Sequence, residues 1–280
     1  MLQLEYSSTN RYWNQAKPSF LGPYMMEGFG FPNRAGLFRF NEEKRLIDRL
    51  TSQQAPERRV LDLGCGIGHW AEYFAERSLE VVAVEGSQSF FNFLENRTAL
   101  QTNIKAVHCK VMDYVPKGKF DLIFLGGLLM YLNEVDVIVI LQRLALLLNP
   151  GGIILCREST MCEGIRTTLG DYQATHRSTE IYSDLFRQCG LTTEQIEENI
   201  PYVLMQMGCE IMNCWKSKTP SRLKMLTATG HFVYGALRLG NPWITRIPEM
   251  FRIDFPQLKN HFFLLKMNLP SPSAGDESKN

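Results

Sequence analysis

The sequence predicts an α/β fold in which helices cover both faces of a doubly wound, mostly parallel β-sheet. Short β-branched apolar runs alternate with helical stretches from residue 59 to about residue 191, which is typical of a parallel sheet buried on both faces. A glycine-rich turn follows the first apolar run and leads directly into a helix. The chain has 280 residues, 45% of them apolar, which is enough for the core of one such domain with additional segments.

The strands and helices of this core follow one another in a regular order. The predicted strands are 60–63, 81–85, 104–109, 120–125 and 153–157. Helical spacing of apolar residues predicts helices at 69–77, 88–100, 134–148 and 179–189. The third of these helices stops at Asn149-Pro150-Gly151-Gly152, because proline cannot continue a helix and glycine allows the sharp turn that follows.

Three regions lie outside the predicted core of residues 46–199. Residues 1–45 are rich in aromatic side chains and glycine, so we expect an N-terminal cap or lid that packs onto the core. Residues 200–258 form a helical insert with helices expected at 203–216 and 222–239. A last core strand follows at 259–269, and the polar tail 270–280 is expected to be disordered.

Composition and charge exclude several classes of partner. Thirty basic and 29 acidic residues leave a net charge of +1, so no global field favours nucleic acid or an anionic membrane. No apolar run reaches the roughly 18 residues that span a bilayer, and no secretion signal is evident. The seven cysteines form no C-x-x-C pair and the histidines have no metal-ligand spacing. We therefore expect a cytoplasmic protein that binds a small-molecule substrate and no metal.

The glycine-rich turn predicts which ligands the fold binds. Glycines at 64, 66 and 68 let the backbone approach a ligand at a helix N-terminus, where such folds bind nucleotides. A dinucleotide fingerprint needs glycine or alanine at position 69, which His69 occupies. Asp62 stands two residues before the first glycine, where a carboxylate repels a pyrophosphate and attracts a cation. The expected ligand carries positive charge and no phosphate.

S-adenosylmethionine meets this requirement because it has a sulfonium and an ammonium group and lacks phosphate. Glu85 ends the second strand, about twenty residues beyond the loop, where an acid in this fold accepts hydrogen bonds from ribose hydroxyls. Asp113 follows the third strand and is placed to accept a hydrogen bond from an adenine amino group. Three acids at the carboxyl ends of three successive strands define one crevice.

The stretch 60–157 resembles a class I S-adenosylmethionine-dependent methyltransferase. It has that family's D-x-G-x-G-x-G loop, its second-strand and third-strand acids, and its L-x-P-G-G turn at 148–152. The resemblance implies a seven-stranded sheet whose last strand, 261–267, inserts antiparallel beside the fifth. It also implies that Asp62 and the loop hold the methionine moiety, Glu85 the ribose, and Met112 and Asp113 the adenine. The expected cofactor-binding residues in the core are Asp62, Gly64, Cys65, Gly66, Gly68, Glu85, Gly86, Met112, Asp113 and Gly126.

Tyr12 and Trp13 are further candidates for the cofactor site. Similar methyltransferases use N-terminal Tyr-Trp segments as lids over the cofactor, and the Tyr24-Met25-Met26 segment has the same apolar character. The alternative is that these side chains only cap the core.

Three residues are candidates for catalysis. Glu158 follows the fifth strand, where a carboxylate can deprotonate a nucleophile or pair with Arg157 or Arg166. His176 precedes a helix that borders the substrate pocket in this fold, and Tyr131 follows the fourth strand. Each of these two side chains is a candidate for acid–base chemistry, and the alternative is a structural role.

We expect methyl transfer to a small-molecule acceptor by direct displacement, in which proximity and orientation supply most of the acceleration. One alternative is a protein N-terminal methyltransferase, because residues 12–15 and 161–164 look similar to that family, although Tyr131 stands where that family has a histidine. Another is a non-catalytic S-adenosylmethionine-binding protein. The insert is expected to form a substrate lid, with a dimer face or peripheral membrane contact as alternatives, and the acceptor atom and oligomeric state stay open.

Overall fold

A computed structural model describes residues 2–16, 31–54, 58–219 and 227–268. Two helices, α1 (Tyr6–Gln15) and α2 (Asn33–Thr51), precede the first strand. The polar tail 270–280 and the Tyr24-Met25-Met26 segment lie outside the described residues. Helix α2 spans the expected boundary between residues 45 and 46, and its buried Leu46, Ile47 and Leu50 join the core of the sheet.

The next elements alternate as the sequence predicts, and each lies within a few residues of its predicted position. They are β1 (Arg59–Leu63), α3 (His69–Ala75), β2 (Glu80–Glu85), α4 (Gln88–Thr98), β3 (Ile104–His108), β4 (Phe120–Gly126), a short 3-10 turn (Leu129–Tyr131), α5 (Glu134–Leu146) and β5 (Leu148–Met161). The strands β1 to β5 pair in parallel. The doubly wound α/β prediction is confirmed.

The second half of the chain adds more strands than the sequence predicts. It contains β6 (Ile165–Thr168), β7 (Ala174–Ser178), α6 (Thr179–Gln188), β8 (Leu191–Glu198), α7 (Ile200–Lys218), α8 (Thr227–Gly240), α9 (Trp243–Met250) and β9 (Lys259–Met267). The described residues form one nine-stranded sheet in the order β3-β2-β1-β4-β5-β7-β6, with β9 between β5 and β8. The predicted count of seven is wrong because β6, β7 and β8 lack the continuous apolar runs that identify buried strands.

The last strand has the orientation that the resemblance implies. Strand β9 runs antiparallel to β5, with Ile154 opposite Leu265 and Thr160 opposite Lys259. Strand β8 pairs antiparallel with the other edge of β9. The β5 end that follows residue 157 therefore contacts β9 on one side and β7 near Thr160.

Alternating side chains along the strands build a core on each face of the sheet. Leu61 and Leu63 point to the face covered by α5 and α6, whereas Val60 points to the face covered by α2 and α3. A third cluster joins the start of α2 to α7 and α8 through Ala35, Leu204 and Leu237. No helix in the described ranges is long and apolar enough to cross a membrane.

Candidate active site

A cavity of about 750 Å³ opens at the carboxyl ends of the parallel strands. Because of the strand order, residues that follow β2 and β3 line one end of it, which we call the β2–β3 end; they include Glu85, Gly86, Met112 and Asp113. Residues of β5, β7, α2, α7 and the loop before β7 line the opposite end, which we call the β5 end; they include Arg39, Arg157, Ser159, Tyr172, His176 and Tyr202. Gly64 and Gly66 line the wall between them.

The glycine loop adopts backbone conformations that other residues rarely reach. Gly64, Gly66 and Gly68 have φ angles of 75°, 59° and 85°. The amides of Gly64 and Cys65 donate to the carbonyl of Val84 at 2.9 and 3.0 Å, which anchors the loop to the end of β2. Gly68 is the N-cap of α3, so the loop ends at a helix N-terminus that favours negative charge.

Alanine at position 68 is expected to destabilise the fold by about 2–5 kcal/mol, from left-handed backbone strain of roughly 1–2 kcal/mol plus overpacking. A Cβ there would lie 2.5 Å from Leu94 Cδ1. Gly190 is the matched control, because its φ is also positive, at 75°, and a Cβ there would have no atom within 4 Å. Urea unfolding should therefore show a smaller loss for Gly190→Ala than for Gly68→Ala. Equal losses would mean that the loop tolerates the contact with Leu94.

Asp62 is a buried acid with an unused acceptor. Its side chain is 1% exposed, lies behind the glycine loop and does not itself line the cavity. It accepts a hydrogen bond from the backbone N–H of Ala71, and its Oδ2 has no hydrogen-bond partner among the described residues. Burial and the neighbouring charge of Glu85 raise the pKa of Asp62 to about 8. A cationic ligand at the loop would supply the missing partner, as the sequence predicts.

Glu85 lies at the cavity wall and ties the loop to β2. Its Oε2 accepts the N–H of Gly66 at 2.8 Å, and its Oε1 accepts the N–H of Ser87 at 2.7 Å. Burial raises the pKa of Glu85 to about 7, although these backbone hydrogen bonds lower it. Each carboxylate oxygen has two lone pairs, so both oxygens can still accept a hydroxyl from a ligand in the cavity.

The turn after β3 and the end of β4 complete the β2–β3 end. Met112 and Asp113 line the cavity there, and Arg143 of α5 holds the turn by donating to the carbonyl of Met112 at 2.8 Å. Gly126 lines the wall at the end of β4, where a Cβ would lie 2.8 Å from Phe124 Cε1. Of the predicted cofactor residues in the core, Cys65 and Gly68 join Asp62 behind the wall rather than on it.

Helix α1 covers the cavity and places aromatic rings over it. Trp13 lines the cavity and packs edge-on against Tyr131 at 5.2 Å between ring centroids. Tyr12 does not line it, but its ring contacts those of Trp13 and Tyr172, each at 5.2 Å. The helix is anchored to the core because the hydroxyl of Tyr6 accepts the N–H of Asn133 at 3.0 Å, and just before the helix Leu4 N–H donates to Asn133 Oδ1 at 2.8 Å. Helix α1 therefore forms part of the cavity wall.

Tyr131, Tyr172 and His176 all line the cavity. The hydroxyls of Tyr131 and Tyr172 lie 3.1 Å apart. His176 is 4% exposed, and burial followed by the charge of Arg166 lowers its pKa to about 4. The imidazole is therefore neutral at pH 7, and its Nδ1 has no hydrogen-bond partner among the described residues.

Glu158 lies away from the cavity, in contrast to Tyr131 and His176. Its carboxylate is fully buried and accepts the N–H groups of Leu128, Leu129 and Met130 at 3.0, 2.9 and 3.3 Å. Burial raises its pKa to about 7 against the effect of these hydrogen bonds. The residue holds the turn after β4, which places Tyr131, and it does not reach the cavity wall.

Several cavity residues were not singled out from the sequence. Arg39, Tyr172, Tyr202 and Asn260 come from α2, a loop, α7 and β9, and nothing in their local sequence marks them as neighbours. The one available signal was Arg39 four residues before Glu43, a spacing that favours an ion pair on a helix. Within the described ranges, no group of His, Cys, Asp and Glu side chains is arranged to hold a metal ion.

Comparison with known proteins identifies the fold and its chemistry. The family described as "Methyltransferase domain" matches residues 36–195, more than half of the chain. The chain belongs to this family. It is an S-adenosylmethionine-dependent methyltransferase of class I, and S-adenosylmethionine is its cofactor. The orphaned Asp62 Oδ2 and the spare acceptors of Glu85 fit this cationic, hydroxyl-bearing group.

Curated relatives of this methyltransferase act on different acceptors. Phosphoethanolamine N-methyltransferase 3 of Arabidopsis thaliana is 29% identical over 165 residues, which cover 56% of this chain and 32% of that protein. The alignment thus spans about a third of the length of that plant relative. N-terminal Xaa-Pro-Lys N-methyltransferase 1-B of Xenopus laevis is 25% identical over 72% of this chain and 92% of its own.

Solved structures share the fold at low identity. An S-adenosylmethionine-dependent methyltransferase of Leishmania major has a TM-score of 0.61 and 13% identity, covering 93% of this chain and 82% of its own. An O-methyltransferase from a multienzyme of Brevibacillus brevis, in complex with S-adenosylhomocysteine, also has a TM-score of 0.61, with 15% identity over 90% of this chain and 82% of its own. These similarities show the fold.

Substitution of Glu85 is expected to weaken cofactor binding in a graded way. Glu85→Ala removes every acceptor and should weaken S-adenosylhomocysteine about tenfold, or about 1.4 kcal/mol. Glu85→Gln keeps one acceptor oxygen beside Gly66 or Ser87, so its loss should be nearer threefold. Calorimetric titration of the two variants and the wild type gives the comparison. Equal affinity in all three would place Glu85 outside the cofactor contacts.

Proposed function

We propose that this methyltransferase transfers a methyl group to a small-molecule acceptor by direct displacement. The supporting observation is the cavity itself: about 750 Å³, covered by α1 and running from the β2–β3 end to a polar β5 end. That volume lies in the range of small-ligand sites. Bound S-adenosylmethionine supplies a methyl group that is already activated by its positively charged sulfur.

The side chains of the chain divide into those that bind the cofactor and those that position the acceptor. We assign the cofactor to Asp62, Glu85 and the glycine loop, with Met112 and Asp113 at the adenine. Trp13 and Tyr131 cover the cavity and exclude water. With the two reactants held in line, proximity and orientation provide most of the acceleration.

We assign proton handling at the acceptor to His176 and the hydrogen-bonded pair Tyr131–Tyr172, which line the β5 end and its approach. His176 is neutral at pH 7 and has an unpartnered Nδ1, so it can accept a hydrogen bond from the nucleophilic group of the acceptor, although its lowered pKa makes it a weak base. We do not assign this role to Glu158, because its carboxylate lies away from the cavity and accepts hydrogen bonds from three backbone N–H groups. We assign it instead to positioning the turn that includes Tyr131.

A peptide N-terminus is the second candidate acceptor, because the Xenopus relative matches over 92% of its own length. The charges of the cavity argue against it. Among the residues that line the cavity, Glu85 and Asp113 lie at the β2–β3 end together with Lys110, Asp136 lies at the start of α5 beside Tyr6, and the β5 end has two arginines. A basic peptide of the Xaa-Pro-Lys type would meet like charge there.

Incubation with methyl-labelled S-adenosylmethionine tests the proposal. The enzyme is offered a metabolite extract in one reaction and synthetic Xaa-Pro-Lys peptides in another, and mass spectrometry locates the label. Label in metabolites is the expected result, and label confined to the peptides would establish the second candidate instead. His176→Ala should lower turnover of the labelled metabolite and leave S-adenosylhomocysteine affinity within about threefold, or about 0.7 kcal/mol.

A further inference from the structure

Arg39 is a buried guanidinium with unused hydrogen-bond donors at the cavity. It lies on α2, is 3% exposed, and lines the β5 end. Its Nε donates to Glu43 at 2.8 Å, whereas its two terminal nitrogens have no hydrogen-bond partner among the described residues. Its guanidinium lies over the ring of Tyr202, 4.8 Å from the centroid. A planar cation held in this way presents a pair of parallel donors to the cavity.

Arg39 shares its hydrogen-bonded carboxylate with a second arginine. Glu43 is the carboxylate that bonds it, and the other oxygen of Glu43 accepts from Arg157 at 2.8 Å. Although burial raises the pKa of Glu43, the charges of Arg39 and Arg157 hold it below its usual range. Glu43 therefore bonds both guanidiniums, and all three side chains are less than 5% exposed. Arg157 also interacts with the buried carboxylates Asp62 and Glu158, whereas Arg39 hydrogen-bonds Glu43 through its Nε alone. An anionic ligand would give the terminal nitrogens of this buried cation the partners that they lack.

The rest of the β5 end supplies no compensating acid. Its other polar lining residues are Ser159, Tyr172, Tyr202 and Asn260, which are neutral, together with the neutral His176. Ser159 Oγ lies 3.2 Å from the hydroxyl of Tyr202, which fixes the ring beneath Arg39. Among the described residues, the β5 end is therefore lined by two guanidinium groups and no carboxylate, whereas Glu85 and Asp113 lie with Lys110 at the β2–β3 end.

We propose that the acceptor carries a carboxylate or phosphate group and that Arg39, supported by Tyr202, binds it. This inference rests on the proposed transfer to a small molecule. Arg39 lies within the matched domain of residues 36–195, but Tyr202 and Asn260 lie beyond it, so the anion site is built partly from elements outside that domain. For this reason we assign it to the acceptor and not to the carboxylate of the cofactor.

Anion binding to the cofactor-loaded enzyme tests the site directly. The probes are inorganic phosphate and acetate, titrated at constant ionic strength into enzyme saturated with S-adenosylhomocysteine and followed by tryptophan fluorescence, since Trp13 lines the cavity. At least one probe should bind saturably, and Arg39→Met should weaken it at least tenfold. The affinity of Arg39→Lys for the probe should lie between those of the wild type and Arg39→Met, because lysine keeps the charge but lacks the planar pair of donors. Arg45→Met is the control, on the same helix but exposed and paired with Glu42, and should bind as the wild type.

The alternative ligand of Arg39 is the carboxylate of the cofactor itself. Arg39→Met should keep S-adenosylhomocysteine affinity within threefold, which also shows that the variant is folded. A loss of more than tenfold for S-adenosylhomocysteine, with none for methylthioadenosine, which lacks the amino acid part, would overturn the proposal in favour of the cofactor carboxylate. Equal binding of the probes by the wild type and Arg39→Met, or no binding by either, would overturn it too.

The products of the labelled extract give an independent readout. Labelled metabolites should be retained on an anion exchanger once any amine is blocked, because each carries an acidic group. A dominant labelled product without an acidic group would refute the anion site and leave transfer to a small molecule standing. Absence of any labelled metabolite would instead refute the proposed function, and the anion inference with it, whatever the phosphate and acetate titrations show.

Discussion

Asp62→Asn is expected to weaken S-adenosylmethionine binding by one to two orders of magnitude, about 1.5–3 kcal/mol for a charge-assisted hydrogen bond. Asparagine has the same shape as aspartate but no charge, so the loop keeps its geometry while the buried Oδ2 loses its attraction for a cation. Calorimetric titration of wild type and variant measures the effect. Asp184→Asn, at an exposed site on α6, is the control and should bind as the wild type.

The same substitution should remove most of the pH dependence of binding. The pKa of Asp62 is raised to about 8, so a cation that needs the ionised form must displace a proton at neutral pH. Affinity of the wild type should therefore fall as the pH drops below about 8, by up to tenfold per unit. Glu85, with a pKa raised to about 7, leaves a smaller dependence in the variant. Identical pH profiles of affinity for the wild type and Asp62→Asn would show that Asp62 does not interact with the ligand.

Stability of the ligand-free protein should change with pH in the opposite sense. The folded pKa of Asp62 lies above the value of about 3.9 expected for an unfolded aspartate, so the protonated form favours folding. That contribution is complete below about pH 4 and is lost as the pH rises to about 8. Asparagine does not ionise. Thermal unfolding should thus show Asp62→Asn gaining stability relative to the wild type as the pH rises from about 4 to about 8.

Glu158→Gln is expected to cost about 1–3 kcal/mol of folding free energy and to lower turnover at least tenfold. The amide would turn a donor toward N–H groups that the carboxylate now accepts at Leu128, Leu129 and Met130, and an unsatisfied buried group costs energy on this scale. Turnover falls because the adjoining turn places Tyr131. Urea unfolding and steady-state rates on the labelled metabolite measure the two effects.

The pH–rate profile and the folding stability together separate positioning from general-base catalysis. A base with a pKa raised to about 7 would give the wild type an acid limb that Glu158→Gln lacks. A positioning role predicts that turnover and folding stability fall together in the variant. Glu163→Gln is the matched control, an exposed residue just beyond the same strand, and it should leave both stability and rate unchanged. Loss of the limb without loss of stability would restore Glu158 as the base.

The residues of the β2–β3 end could be predicted because their signals are local. The loop, Glu85 and Asp113 each follow a strand whose apolar run identifies it, and parallel strands bring their carboxyl ends to one edge. The prediction of seven strands was wrong for a related reason. Strand β7 reads Ala-Thr-His-Arg-Ser and is buried throughout, so its pattern lacks the apolar alternation that marks a strand in sequence.

By itself, the sequence determined the doubly wound core and the placing of acids at the carboxyl ends of its strands, and it predicted a cationic ligand for them, since strand, turn and helix signals act over a few residues. Only the tertiary structure decided which polar residues share the β5 end. Arg39, Arg157, Asn199 and Asn260 come together around Glu43 from four separate elements. Whether a carboxylate such as Glu158 faces a cavity or a row of backbone amides depends on the packing of distant segments, which no local pattern records.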